Sequence, residues 1–238
     1  MIVGLLIGKD KSMGVPGKNV MQLLGRPMAE YGFQALTAAP SIESVFTSTD
    51  STQIAEIGSR YGSAIISRPD YLCRSESLTE DVLTHALEAI EQTLDREIEI
   101  LVLVFANQPA IDWRMIEEGI EILRNNTDLD SAFSVCEYNM FHPSRAKQIN
   151  QDGFIEPFVP LDALGPVSSI RDAMKPVYFC DFSVQVCRRR CIAQIDEGRP
   201  PIKWMGKKSH PIHKEYGFDI DARWQIVVAE HWLRQHER

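Results

Sequence analysis

Residues 8–19 read Gly-Lys-Asp-Lys-Ser-Met-Gly-Val-Pro-Gly-Lys-Asn and follow directly on a short apolar run. Glycines let the backbone approach a ligand closely, and exposed amides there form a cradle for an anion. Lys9, Lys11 and Lys18 add point charges of the kind that meet phosphate, and Ser12 adds a hydroxyl. No G-x-x-x-x-G-K-[ST] or G-x-G-x-x-G pattern occurs in the loop, so neither a P-loop nor a dinucleotide fingerprint is present. Taken alone, the loop is equally a phosphate cradle or a solvated surface turn. Far downstream, Asp219 and Asp221 stand two apart on what should be extended chain. A period of two puts both carboxylates on one face, a spacing suited to a hard divalent cation such as Mg2+. A second use for Asp221 is to cap the helix that begins just after it.

These groups need a frame. Residues 2–7, 44–49, 64–66, 98–105 and 131–135 are short apolar or β-branched runs. Residues 27–38, 52–61, 78–94 and 113–124 lie between or after them with helical spacing. That alternation predicts βαβ units, a mostly parallel sheet and helices on both faces. Ligands of such sheets bind beyond the carboxyl ends of the strands, which directs attention to the loops after residues 7, 49 and 105. The last of these carries Asn107 and Gln108, which can donate to an anionic ligand, or can simply open the helix at Trp113. From about residue 138 the rhythm gives way to prolines and turn residues. Residues 138–180 are read as a β-rich insertion within a single 238-residue domain, covering the sheet's open end or forming an oligomer interface. Residues 177–186 return as a strand, and 223–234 close as an amphipathic helix.

Composition narrows the class. A net charge of −8 argues against a nucleic-acid or membrane-surface binder, though not against a small anionic ligand. Five scattered cysteines form neither a disulfide framework nor a zinc ribbon, and Cys187 with Cys191 makes an incomplete metal site. No basic leader precedes the first apolar run, and no run approaches the about 20 residues of a membrane span, so a cytoplasmic protein is expected. His210 and His213 lack a third ligand and suit a solvated strand edge. No serine has a nucleophile-elbow context.

Several stretches together resemble one family, the acylneuraminate (CMP-sialic acid) and related CMP-sugar acid synthetases. Lys9, Ser12, Gly14, Pro16, Lys18 and Asn19 match its signature loop in kind and spacing, and the match continues through residues 24–28. Ser48-Thr49-Asp50 resembles its S-T-D motif, residues 65–69 its strand ending in Arg-Pro, and Phe218-Asp219-Ile220-Asp221 its D-I-D motif. The resemblance implies a Rossmann-like, three-layer α/β nucleotide-diphospho-sugar transferase fold and a reaction of CTP with a nonulosonate-like sugar acid. Gly8, Lys9, Ser12, Lys18, Asn19, Arg68 and Thr79 would then hold the nucleotide. Lys9, Lys18, Asp219 and Asp221 would be catalytic, with Mg2+ on the two aspartates. Asn107, Gln108, Arg145 and Arg171 would meet the acceptor, and a homodimer is implied. Two departures stand out. Lys9 replaces an arginine, and Met13 replaces a basic residue. They leave open a transferase with another acceptor, or a nucleotide-binding homologue with impaired catalysis.

Overall fold

The computed structural model describes residues 1–10, 15–74, 76–170, 173–215, 217 and 219–236. Strand β1 (Ile2–Gly8) is buried along its whole length, as a central strand with helices on both faces must be. Parallel to it lie β4 (Ser44–Thr49) on one side and β6 (Ile100–Phe105) on the other. Beyond β4 comes β5 (Ala64–Ser67), also parallel. On the far side of β6, β10 (Tyr178–Arg188) runs antiparallel to both β6 and β7 (Ser131–Glu137). Strand β11 (Ser209–Lys214) pairs with β7 and closes the sheet. Among the described residues this gives one seven-stranded sheet, ordered β11-β7-β10-β6-β1-β4-β5.

Period-two alternation sorts the strand side chains into two layers. Ile2 and Leu6 of β1 pack with α1 (Met28–Ala38), α2 (Thr52–Arg60) and α4 (Trp113–Asn125). Val3, Leu5 and Ile7 face α3 (Thr79–Leu94) and α5 (Arg189–Ala193). A third cluster seats α6 (Arg223–His236) against α1 and a small ladder of β2 (Gln22–Leu23) with β3 (Arg26–Pro27). Ile220 is fully buried in that cluster, which anchors the two aspartates flanking it at the sheet's carboxyl edge. The expected three-layer α/β architecture is the one observed.

The described residues of 138–180 hold less strand than the sequence suggests before β10 begins at Tyr178. One short ladder, β8 (Lys147–Ile149) with β9 (Ile155–Pro157), is set among 3-10 turns at Asn139–Phe141, Pro143–Arg145 and Leu161–Leu164. The prolines that mark this segment cannot donate to a ladder, so turns take over. The ladder is closed by Asn150, whose Oδ1 accepts from the amides of Asp152 (3.1 Å) and Phe154 (2.9 Å). Residues 210–213, read as a strand edge, lie in the sheet's edge strand β11. There Pro211 costs no central hydrogen bond and Ile212 alone of those four is buried.

Candidate active site

The strand ends bring the first loop and the Arg68 turn together. Gly8 ends β1 where space is tight: a Cβ there would stand 2.7 Å from Ala106 Cβ and 2.8 Å from Ile54 Cδ1. Asn19 follows in a 3-10 turn, Lys18–Val20, opened by Gly17 in the left-handed region. Its Nδ2 donates to the Lys9 carbonyl at 2.8 Å, while its Oδ1 is buried with no partner among the described residues. Arg68 leaves β5 and turns back over β4. Its Nε donates to Ser48 Oγ at 2.9 Å and one terminal nitrogen donates to the Ser48 carbonyl. The other terminal nitrogen, Nη1, is buried without a partner among the described residues. Burial lowers the Arg68 guanidinium from its ordinary value and the nearby Asp50 opposes that shift. The side chain is therefore a fixed cation with one unspent donor.

The acidic pair is built from the β6 loop and the start of α6. The Ile220 amide donates to the Asn107 carbonyl at 2.9 Å, and Asn107 Nδ2 donates to Asp219 Oδ2 at 3.1 Å. Burial raises the Asp219 carboxyl above its ordinary value, and the like charge of Asp221 raises it further, against the Asn107 hydrogen bond. Asp221 meets the Lys18 ammonium, whose side chain is only 9% exposed. The helix cap is supplied elsewhere: Gln225 Oε1 reaches back to the amides of Asp221 and Ala222. Asp221 is thus spared from capping. Two carboxylates in mutual repulsion suit a hard divalent cation. They suit Mg2+ in particular, which commonly takes one or two carboxylates and completes its shell with water and phosphate. No group of three or more His, Cys, Asp or Glu side chains able to hold a metal occurs among the described residues.

A family model described as cytidylyltransferase matches residues 10–151, more than half of the chain. The chain belongs to the cytidylyltransferase family. N-acylneuraminate cytidylyltransferase A of Danio rerio is 25% identical over 235 residues, covering 96% of this chain and 50% of that protein. The 3-deoxy-manno-octulosonate cytidylyltransferase of Syntrophobacter fumaroxidans is 26% identical over 124 residues, 52% of this chain and 46% of that one. The chain spans about half the length of the curated relatives it matches. Among solved structures, a CMP:2-keto-3-deoxy-manno-octonic acid synthetase complexed with CTP superposes with a TM-score of 0.68 at 16% identity, covering 98% of both chains. A 4-diphosphocytidyl-2C-methyl-D-erythritol synthase from Anaerococcus prevotii gives 0.65 at 15%, covering 98% of this chain and 96% of that one. Those two likenesses establish the shared fold.

Within this cytidylyltransferase fold, Gly8, Lys18, Asn19, Arg68, Asn107, Asp219 and Asp221 all lie along the carboxyl edge. Other expected residues are placed differently. Lys9 Nζ donates to the carbonyls of Arg74 (3.0 Å) and Ser77 (3.3 Å), so its charge tethers the loop leading to α3. Thr79, half-buried, is the first residue of that helix. Gln108 is 1% exposed, donates to the Asp181 carbonyl and accepts from the Ala110 amide at 3.2 Å. With both ends of its amide spent inside the protein, Gln108 clasps the loop and does not line an acceptor space. Arg145 is exposed on the 138–177 segment and donates to the Ser169 carbonyl at 3.1 Å. Ser12 and Arg171, with Met13 and Phe218, lie outside the described residues. Sequence reasoning missed Gln225, whose position three residues into the helix is the available signal. It also missed Lys214, which reads as an ordinary strand-end lysine.

Proposed function

We propose that this chain is a cytidylyltransferase that transfers CMP from CTP to a hydroxyl of a nonulosonate-like sugar acid, releasing pyrophosphate. One observation carries the reading: an unspent buried donor on Arg68 and an unspent buried acceptor on Asn19 share an edge with the Asp219–Asp221 pair. A buried polar atom left unpaired costs about 1–3 kcal/mol, so such atoms are kept where a ligand satisfies them. A base and ribose offer both acceptors and donors. The residues at the other end suit a triphosphate with its cation.

In this reading the acceptor hydroxyl attacks the α-phosphorus in line, the bond to the bridging oxygen of the β-phosphate breaks, and pyrophosphate leaves. No covalent enzyme intermediate is required. Asp219 and Asp221 would hold Mg2+, which when bound neutralises charge on the phosphates. Lys18, fixed against Asp221, adds a buried ammonium beside the same phosphates. Arg68 and Asn19 fix the nucleoside end, and Thr79 borders it. Arg145 and Arg171 supply cations for the acceptor's carboxylate. The sugar-acid names of the family's relatives support that acceptor class. We place the protein in the cytoplasm, as its five free thiols favour; no helix among the described residues is long and apolar enough to cross a membrane. A second copy is the proposed partner, through the 138–180 segment.

The tethering of Lys9 favours a second reading, a nucleotide-binding homologue without turnover. One assay separates the two. The purified protein is given Mg2+, each nucleoside triphosphate and a panel of sugar acids, and pyrophosphate release is followed. Turnover with CTP alone supports transfer. A melting temperature raised by CTP without any pyrophosphate supports the binding module. Stabilisation by no nucleotide rejects both.

A further inference from the structure

Beneath the segment that carries Asp219 and Asp221 lies a buried polar cluster that the proposed chemistry does not use. Lys214 ends β11 with its side chain 6% exposed, and its Nζ stands 3.0 Å from Asp181 Oδ2. It also donates to Ser183 Oγ at 3.0 Å and to the Ala110 carbonyl, and sits 5.0 Å over the Trp232 ring. Asp181 has no exposed side-chain surface. It accepts from Ser134 Oγ, from Ser183 Oγ at 2.7 Å and from the Ser183 amide at 3.3 Å. The pair rides on an irregularity of β10, where the register with β7 shifts between Cys180 and Gln185. Phe182, at φ 59°, is in the left-handed region that bulky residues avoid. Its ring packs on Phe105 at 5.7 Å while its two neighbours feed the cluster. A buried ion pair is a poor stabiliser relative to apolar packing, and strained backbone has a cost too, so both point to a positional task.

The task is legible in what rests on the pair. Gly217 packs so closely that a Cβ would stand 2.0 Å from Asp181 Oδ2 and 3.0 Å from Lys214 Nζ. The Tyr138 hydroxyl donates to the Gly217 carbonyl at 2.9 Å and accepts from its amide at 3.0 Å. Two residues on comes Asp219. The Asn107 loop is tied to the same cluster, through Lys214 to Ala110 and through Gln108 to the Asp181 carbonyl. Both supports of the acidic pair therefore stand on one foundation. We propose that Asp181, Lys214 and Tyr138 are positioning residues that hold Asp219 and Asp221 at the geometry a divalent cation requires. The proposal rests on the metal-dependent reading above.

Mn2+ in place of Mg2+ gives a readout independent of turnover, since free Mn2+ is counted by electron paramagnetic resonance with CTP present and no acceptor. Lys214→Met alone strands a buried carboxylate and is expected to unfold, so the informative variants are Asp181→Asn with Lys214→Met, and Tyr138→Phe. Support loss around a metal site typically weakens binding about 10- to 100-fold. The double variant is expected in that range. Tyr138→Phe, which keeps its ring, is expected near about tenfold. In both, kcat falls while CTP affinity measured in chelator stays put. A merely structural role would lower the melting temperature and leave Mn2+ affinity of the folded protein unmoved, and that result overturns the proposal. Asp221→Asn is the control. If Mn2+ affinity ignores it, the metal reading itself fails and takes the positioning role with it. If it responds and the positioning variants do not, the positioning role alone fails.

Discussion

Asp219 is held where its charge is a burden to the empty protein. Burial and the Asp221 carboxylate raise it above the ordinary value of 3.8. A carboxyl raised in the folded state contributes stability that is present below the unfolded value and lost as pH rises through the folded one. At pH 7 the charge on Asp219 is therefore a net cost. Asp219→Asn keeps an acceptor for Asn107 and removes the repulsion. The variant should melt higher than the parent at pH 7, with the gap closing toward pH 4, while turnover is lost. A thermal melt series against pH, with a pyrophosphate assay at pH 7, checks both halves. Arg68 makes the complementary case for shape over charge. Arg68→Lys keeps the cation but loses the planar fork that holds Ser48 through two nitrogens while a third points elsewhere. The KM for CTP should rise about tenfold or more for the loss of one buried charged hydrogen bond, with kcat little changed. Of the single residues, the placement of the acidic pair, Asn19 and Arg68 along the strand ends was legible because it depends on local spacing and on matching motifs. Lys9 and Gln108 were not, because their partners lie 65 to 73 positions away. No local pattern reports such a contact.

Between elements, close approach and charge pairing do different work. Gly8 is where β1, β6 and α2 meet most tightly, so Gly8→Ala forces Ala106 or Ile54 aside. Overpacking of that kind costs about 1–3 kcal/mol and should also shift the first loop, weakening CTP binding together with stability. Chemical denaturation and a CTP titration on the same sample test this. At the other end of the molecule, Arg189 of α5 grips Glu91 of α3 through two bonds, Nε–Oε1 at 2.7 Å and Nη2–Oε2 at 2.9 Å. That pairing holds the Glu91 carboxyl below its ordinary value of 4.5. Its contribution is present above about pH 5 and fades as pH falls through the lower, folded value. Glu91→Gln should lose about 1–2 kcal/mol at pH 7, with parent and variant converging in acid. The α3–α5 contact is invisible in sequence, because α5 is five residues long and carries no periodic signal. The longer helices and parallel strands were readable, since each repeats its apolar period for several turns or pairs. The segment after β7 was misread as strand-rich because prolines mark a break in pattern without saying what replaces it.

On the scale of the whole molecule, the 138–180 segment leaves much of its apolar surface open. Phe141, Ile149, Phe154, Ile155, Phe158 and Ile170 are each between 59% and 75% exposed. A two-stranded ladder has too little core to stabilise itself in water and needs a surface to pack on. Among the described residues outside the segment, none of the three core clusters takes in these side chains, whereas in the proposed dimer a second copy would bring an identical apolar patch, the self-complementary arrangement of a twofold interface. Ile149 and Ile155 face one another across the ladder, so opposite charges can replace them without breaking the hairpin. If the proposed dimer of 27.0 kDa chains forms, Ile149→Lys with Ile155→Glu should convert it to monomers in sedimentation equilibrium. The melting temperature of the α/β body should move little, because none of its three core clusters includes these residues. If Arg145 meets the acceptor from a face ordered by this contact, the monomeric variant should lose acceptor affinity while keeping CTP affinity. A wild-type chain that sediments as a monomer at tens of micromolar would reject the dimer. Equal loss of CTP and acceptor affinity would mean that the segment supports the whole fold and not the acceptor side alone.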